Sequence, residues 1–265
     1  EQPRRDRRPP PVEGRATYAP GRLDHQVGAS IAARVVSLGV VEQPALQRYL
    51  NLVVAHLTAA STLYDTDFTV AVLDDPAANG FACPGGYLFV NRGALVAAED
   101  EAELAALLAH EMGHVVLRHG VQELQHRAVR LQAEAAFEEL ERELQAGEGE
   151  VDGYAAVEAE LEGLIEESYD AVVHRRLLAY ELEADRFAAR LLDGAGYDPQ
   201  ALVRISRKAF DFNVRTGAGE APRGIVAADV WRRQDEAARA VERAYDGQAG
   251  ARLVQRFREA TASLR

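Results

Sequence analysis

The segment AHEMGHVVLRHG, residues 109–120, places three histidines and a glutamate in an apolar background. His110 and His114 are four residues apart, so on a helix their imidazoles project from one face and can bind the same ion. The chain has a single cysteine, which excludes a zinc site made of cysteine pairs. Glu111 lies at the edge of that face, where its carboxylate can reach a water molecule on the metal. The pattern indicates a zinc site, and Gly113 leaves room for a close approach of backbone or substrate.

A third ligand is needed, because a catalytic zinc ion usually has three protein ligands and one open position. The segment YELEADRFAARLL, residues 180–192, places Glu181 and Asp185 on one helical stripe with small and apolar residues. Burying two acids there is costly unless they are paired or bind a cation. We expect Glu181 to bind the zinc and Asp185 to accept a hydrogen bond from the second ring nitrogen of His110. Glu183 points in another direction and is expected to be solvated.

The remaining histidines are expected to have no role in the chemistry. His119 and His126 follow His114 by five and twelve residues, and on a continuous helix these spacings turn them away from the ligand pair. The others are expected to be structural, and they are His25, His56 and His174. In the simplest alternative, both segments are ordinary amphipathic helices, and the protein is a helical scaffold that binds no stoichiometric zinc.

The apolar spacing predicts mostly helices, with one small sheet. Residues 67–75 alternate in polarity, and residues 81–93 have two short apolar runs separated by Pro-Gly-Gly, which indicates strands and a turn. A helix is predicted over residues 99–120, which begin with acids and end at Gly120. The predicted class is therefore α+β and predominantly helical, with a small β-sheet beside the HExxH helix.

Composition divides the chain into parts. Residues 1–20 are predicted to be a disordered Pro/Arg-rich tail, residues 21–215 the main domain, and residues 216–265 C-terminal helices that pack on the same domain. An acidic helical insert is predicted over about 121–170, and residues 131–170 hold 14 acidic residues and one basic residue. This charge argues against nucleic acid as a partner. A lid over the cleft and a solvated hairpin both remain open for the insert.

Three motifs in this order resemble the HtpX and CAAX-prenyl-protease-like family of zinc metallopeptidases, which includes soluble periplasmic and lipoprotein members. They are NGFACPGGYLFVNRGAL (79–95), EDEAELAALLAHEMGHVVLRHG (99–120) and ELEADRFAARLLDGAGYDP (181–199). The resemblance covers about residues 25–215 and implies a zincin-like metallopeptidase core with one zinc ion per chain. It implies His110, His114 and Glu181 as zinc ligands, Glu111 as general base and Asp185 as the partner of a ligand histidine.

The resemblance also implies how the enzyme acts. A polypeptide substrate is expected to lie extended along an edge strand formed by Tyr87, Leu88, Phe89 and Val90. The predicted function is that of a zinc-dependent endopeptidase, with Glu111 as general base and zinc-activated water as the nucleophile. Its substrates are expected to be unfolded or misassembled envelope proteins. The alternative is a chaperone or assembly factor on the same fold, with latent or little proteolysis.

The resemblance and the Pro/Arg-rich opening of the sequence together predict a location. The opening has no apolar stretch, as expected of a segment that follows a removed signal or anchor. We expect a protein of the bacterial cell envelope, either periplasmic or anchored as a lipoprotein, with membrane association through the removed segment. The oligomeric state stays open.

Besides the acidic insert between His114 and Glu181, two features depart from the family pattern. Many members have a late histidine that can stabilise the tetrahedral oxyanion, but no histidine follows His174 here. The role is then unfilled or belongs to a tyrosine or arginine, for which the candidates are Tyr180, Tyr197 and Arg186. The second departure is Cys83, where an aliphatic residue is expected. Its thiolate could occupy the open zinc position and keep the enzyme latent, or Cys83 could be a small buried hydrophobe.

Overall fold

A computed structural model of the chain describes residues 22–61, 66–122, 178–217, 227–246 and 248–264. Within these residues the structure is mostly helical and has one three-stranded sheet, which confirms the predicted class. The predicted tail and nearly all of the acidic insert lie outside the described residues. No helix in the described parts is long and apolar enough to cross a lipid bilayer.

Apart from the first helix, which packs on the other face of the sheet, the described α-helices contribute to one apolar core that includes part of the sheet. α2 begins at a proline, which fits a first helical turn because the missing N–H has no partner to lose there. The helices are α1 (Arg22–Ser37), α2 (Pro44–Ala59), α3 (Arg92–Ala97), α4 (Glu101–Val116), α5 (Leu178–Ala195), α6 (Ala201–Thr216), α7 (Ala227–Tyr245) and α8 (Val254–Ala260), with a short 3-10 helix at Ala262–Leu264.

The sheet has the strand order β1-β3-β2. Its strands are β1 (Thr69–Leu73), β2 (Gly80–Cys83) and β3 (Tyr87–Asn91). β3 pairs in parallel with β1 and antiparallel with β2, so both of its backbone edges are already used. The prediction that an edge strand is formed by Tyr87, Leu88, Phe89 and Val90 is therefore wrong, since these residues lie in the central strand.

The two outer edges of the sheet differ. The outer edge of β1 is covered by the segment that joins α1 to α2, because Val41 donates its backbone N–H to Val72 (2.9 Å) and Asp74 donates to Gly39 (3.2 Å). On the outer edge of β2, no other strand pairs within the part of the chain that the structure describes. Within the described residues, β2 is thus the edge strand on this side of the sheet.

Cys83 belongs to an apolar cluster formed with α1. Its side chain is buried with those of Ile31 and Val35 from α1 and of Phe81 and Phe89 from the sheet. The neighbouring strand residue Ala82 belongs instead to the main core, which includes α4. Because side chains alternate between the faces of a strand, Cys83 points away from the HExxH helix. Cys83 is therefore a small buried hydrophobe, and the structure does not support it as a latent zinc ligand.

The first turn of α4 buries three carboxylates, those of Asp100, Glu101 and Glu103. Negative charge is favourable there, because the N-terminal end of a helix carries the positive end of its dipole. Asp100 also caps the helix by accepting the Glu103 backbone N–H at 2.9 Å. All three carboxylates have partners, which are Arg252 for Asp100, Tyr49, Tyr197 and Arg256 for Glu101, and Arg204 and Lys208 for Glu103.

Candidate metal centre

Helices α4 and α5 come into close contact at Gly113. A Cβ atom added to Gly113 would lie 3.2 Å from the Cα atom of Ala184 and 3.2 Å from a ring carbon of Phe187. Since neither Gly113 nor Ala184 has a large side chain, the two backbones approach closely enough for side chains from both helices to meet. The space that the sequence analysis assigned to backbone or substrate is filled by the backbone of α5.

The three predicted ligands lie together beside this contact. The Nε2 atoms of His110 and His114 are 3.1 Å apart, and the two carboxylate oxygens of Glu181 lie 3.4 Å from His110 Nε2 and 3.2 Å from His114 Nε2. Within the described residues these side chains form the one group able to hold a metal ion, and all three are buried. Donor atoms that surround a tetrahedral zinc ion are about 3.3 Å apart, so the donor set and its spacing fit zinc.

His110 is held by carboxylates on both ring nitrogens. Its Nδ1 lies 2.8 Å from Asp185, the residue that the sequence analysis assigned to this contact, and its Nε2 faces Glu181. Burial lowers the pKa of His110, but the hydrogen bonds to Asp185 and Glu181 outweigh burial and raise the pKa to about 9. Without a metal ion, the imidazole therefore holds an extra proton at neutral pH, which a cation has to displace.

The side chain of His114 contacts His119, which the sequence analysis expected to face away from the ligand pair. The Nδ1 atom of His119 lies 3.0 Å from the Nδ1 atom of His114, so the prediction that His119 faces away is wrong. Helix α4 ends at Val116, and Arg118 adopts a left-handed conformation with φ of 58°, which redirects the chain. The side chain of Glu183 is half exposed, as expected, but one of its oxygens lies 3.3 Å from His119 Nε2.

Arg233 reaches the same centre from α7, and sequence analysis did not identify it. Its guanidinium lies 3.0 Å from Glu181, donates two hydrogen bonds of 3.2 Å to Asp185 and lies 3.3 Å from Nε2 of His110. The signal that could have indicated Arg233 is charge balance, since two buried carboxylates require compensating positive charge nearby. Which arginine supplies that charge depends on tertiary packing.

The guanidinium of Arg233 changes the charge state of its neighbours. Burial raises the pKa values of Glu181 and Asp185, but the positive charge of Arg233 and the contacts with the ligand histidines together outweigh burial, and both pKa values lie below their ordinary range. Burial lowers the pKa of Arg233, whereas Asp185, Glu181 and Glu111 together raise it above its ordinary value. All three carboxylates therefore act on one cation. Glu111 is itself buried on α4.

The remaining predicted residues have other positions. Tyr180 stacks on His119 with 4.4 Å between ring centroids, and Tyr197 donates a hydrogen bond to Glu101. Arg186 is exposed on α5. Arg233 brings hydrogen-bond donors to the candidate metal ligands from outside α4 and α5. His25 is exposed, His56 contacts the carbonyl of Ala195, and His126 and His174 lie outside the described residues.

The chain is similar in sequence to several proteins that are named as proteases or metalloendopeptidases. A Vibrio cholerae protein whose name contains the words beta-barrel assembly-enhancing protease is 31% identical over 172 residues, which are 65% of this chain and 34% of that protein. The beta-barrel assembly-enhancing protease of Escherichia coli is 27% identical over 177 residues, or 66% of this chain and 35% of the relative. Mitochondrial metalloendopeptidase OMA1 of Schizosaccharomyces pombe is 38% identical over 76 residues, or 29% of this chain and 23% of the relative.

The match to a protein family covers more of the chain than the matches to these relatives do. Residues 44–245 match the family described as peptidase family M48. This range contains both histidines of HEMGH, the ligand candidate Glu181 and Arg233, although the chain spans only between 23% and 35% of the length of the three relatives. The match confirms the resemblance to HtpX-like zinc metallopeptidases and, with it, the predicted class of enzyme, a metalloendopeptidase. The chain belongs to peptidase family M48.

Proposed function

We propose that this chain is a zinc-dependent endopeptidase whose zinc is bound by His110, His114 and Glu181. The observation that supports it best is the spacing of 3.1 to 3.4 Å among the three pairs of donor atoms, inside a buried site. Two imidazole nitrogens and a carboxylate that point at one place repel one another unless a proton or a cation lies between them. Two histidines and one carboxylate leave a fourth position for substrate or water, as in catalytic zinc sites.

Glu111 is proposed as the general base. When bound, zinc supplies Lewis acidity, which polarises the scissile carbonyl and makes water more acidic. Glu111 follows His110 directly on α4, is buried, and lies close enough to the centre to raise the pKa of Arg233. Its carboxylate takes a proton from the attacking water and returns it to the leaving amine. Water exclusion by the surrounding core strengthens these electrostatic effects.

Arg233 is proposed to take the part that a late histidine has in other family members. The hydrogen-bond donors of its guanidinium point at Glu181, Asp185 and the metal-facing nitrogen of His110. From that position Arg233 keeps the two carboxylates oriented and can donate to negative charge that develops on the scissile carbonyl oxygen.

The substrate is proposed to bind in extended form along the outer edge of β2. This strand pairs with β3 on its inner side, while its outer backbone groups can pair with a peptide. β2 also lies against α4, because a Cβ on Gly80 would lie 3.2 Å from the side chain of Leu107, one turn before His110. A peptide on this edge therefore lies beside the metal ligands. The named function of the Vibrio cholerae and Escherichia coli relatives supports unfolded or misassembled envelope proteins as substrates and a location in the bacterial cell envelope.

A second candidate is the chaperone or assembly factor with latent or little proteolysis. The contact of 3.3 Å between Arg233 and the metal-facing nitrogen of His110 favours it, because that nitrogen has to bind the metal in an active enzyme. The presence of Glu111 beside the ligands favours the peptidase, because a protein that only binds chains does not need a general base.

Casein turnover by the purified chain, with and without a chelator, separates the two candidates. We expect one zinc per chain by elemental analysis and turnover that the chelator abolishes. Glu111→Gln should keep its zinc and lose nearly all turnover, and Glu181→Ala should lose the metal. Glu42→Gln, the same change at an exposed position two residues before α2, is the matched control and should behave as the wild type. Stoichiometric zinc without turnover would favour the chaperone, and absence of zinc would refute both.

A further inference from the structure

The imidazole of His114 has a partner on the nitrogen that faces away from the metal ligands. Its Nδ1 lies 3.0 Å from Nδ1 of His119, whose Nε2 lies 3.3 Å from Glu183. His110 has a corresponding contact with Asp185 at 2.8 Å. We propose that His119, backed by Glu183, is a positioning residue for His114, as Asp185 is for His110. The inference rests on the metal site of the proposed function.

The positions of the hydrogens follow from the distances. Two Nδ1 atoms 3.0 Å apart share one hydrogen, because two lone pairs or two N–H groups would repel each other. A metal ligand needs its lone pair on Nε2, so neutral His114 carries its hydrogen on Nδ1 and donates it to His119. His119 then carries its own hydrogen on Nε2 and donates it to Glu183. Each nitrogen in this chain has the role that a metal bound to His114 requires.

His119 is held in place by more than this hydrogen bond. Its side chain is 3% exposed, and its ring stacks on Tyr180 with 11° between the ring planes. The left-handed backbone of Arg118 turns His119 back towards His114. Glu183, by contrast, is 52% exposed, so its contact is weakened by solvent. We therefore expect His119 to account for most of the effect and Glu183 for a small part of it.

Two substitutions at position 119 separate hydrogen bonding from packing. His119→Phe keeps a ring that can stack on Tyr180 but has no acceptor, whereas His119→Asn removes the ring and places an amide oxygen near the position of Nδ1. Partners of this kind typically change metal affinity by about 10- to 100-fold. Competition with a chromophoric chelator should show zinc affinity lowered by about that factor in His119→Phe and largely restored in His119→Asn. If His119→Phe bound zinc as tightly as the wild type and His119→Asn bound it more weakly, the ring of His119 would act by packing, and the inference would be overturned.

Cobalt substitution gives a second measurement that does not depend on turnover. The visible absorption of bound Co²⁺ reports ligand geometry, so it should change in His119→Phe and stay close to the wild type in His119→Asn. Identical spectra in all three proteins would contradict a positioning role. A wild-type protein that binds neither zinc nor cobalt would instead refute the metal site itself and this inference with it. Tight wild-type binding with no loss in His119→Phe would overturn the inference alone.

Discussion

Arg233 and Asp185 are joined by two hydrogen bonds of 3.2 Å, although 48 residues separate them in the chain. The same guanidinium lies 3.0 Å from Glu181. One cation from α7 therefore compensates two buried carboxylates of α5. A metal ion at Glu181 adds further positive charge to the same place, so the importance of Arg233 depends on whether the metal is bound.

We expect Arg233→Ala to destabilise the metal-free protein more than the zinc-bound protein. Removing one partner of a buried ion pair typically costs about 3–5 kcal/mol, and bound zinc should offset part of that loss. Thermal unfolding in a chelator and in excess zinc measures the difference. Arg233→Met keeps much of the side-chain volume and controls for lost packing. Equal destabilisation of both states would contradict charge compensation by Arg233.

The stability of the metal-free protein should fall as the pH rises towards and beyond 9. The folded-state pKa of His110 is raised to about 9, so protonated His110 stabilises the fold fully below its ordinary pKa of about 6.5. That contribution is lost as the pH rises through about 9. Unfolding midpoints of chelator-treated protein from about pH 6 to 10 test this, with His110→Gln as the control that should lack this component. Zinc affinity should increase over the same range, because the metal displaces the proton.

Gly113→Ala should weaken zinc binding without disrupting the fold. The added methyl would lie 3.2 Å from Ala184 and Phe187, which forces α4 and α5 apart by a few tenths of an ångström. Alanine in a helix is favoured over glycine by about 1 kcal/mol, so the stability of the metal-free protein changes little or increases. Zinc affinity should thus fall while the free energy of unfolding of the metal-free protein stays the same or increases. Unchanged affinity would show that the helix contact does not set the ligand spacing.

Tyr197→Phe should destabilise the protein at neutral pH and leave its zinc content unchanged. It removes a 2.6 Å hydrogen bond to the buried carboxylate of Glu101, and hydrogen bonds to charged groups typically contribute about 1.5–3 kcal/mol. Tyr49→Phe, which removes the 2.9 Å bond to the same carboxylate, is the matched comparison. Denaturant unfolding measures both. A loss of zinc in either variant would contradict a purely structural role.

Low pH should destabilise the protein by protonating Glu101, the carboxylate that Tyr49 and Tyr197 contact. Burial raises the pKa of Glu101, but Arg256 and the two tyrosine hydroxyls outweigh burial, and the pKa is lowered. The ionised carboxylate therefore stabilises the fold above its ordinary pKa, and this contribution is lost as the pH falls through the lowered value. In the Tyr197→Phe variant the loss should begin at a higher pH than in the wild type, which acid titration of unfolding detects.

Local spacing was enough to place each pair of candidate site residues on one face of its helix. Four residues separate His110 from His114, and the same distance separates Glu181 from Asp185, so helical periodicity alone places each pair on one face. The structure brings these pairs together at Gly113. That contact is consistent with the sequence, because small residues on both helices permit a close approach.

The features that sequence analysis missed depend on irregular backbone or on distant parts of the chain. His119 turns towards His114 because α4 ends and Arg118 is left-handed, and a pattern based on a continuous helix does not include such a break. Arg233 arrives from a separate helix, where nothing local distinguishes it from other arginines. The prediction of an edge strand at residues 87–90 was wrong for a similar reason, since the parallel pairing of β1 with β3 joins segments that are not adjacent in the chain.

The acid-rich beginning of α4 connects this helix to the last part of the sequence through ion pairs. The family match ends at residue 245, but Arg252 and Arg256 lie beyond it and compensate Asp100 and Glu101. A fragment trimmed to the matched range would leave these two carboxylates buried with fewer cations. Cleavage before Arg252 would therefore destabilise α4 at its N-terminal end, although His110 and His114 lie towards its other end. Such a cut would inactivate the protein even though the arginines that it removes contact the end of α4 away from the metal ligands.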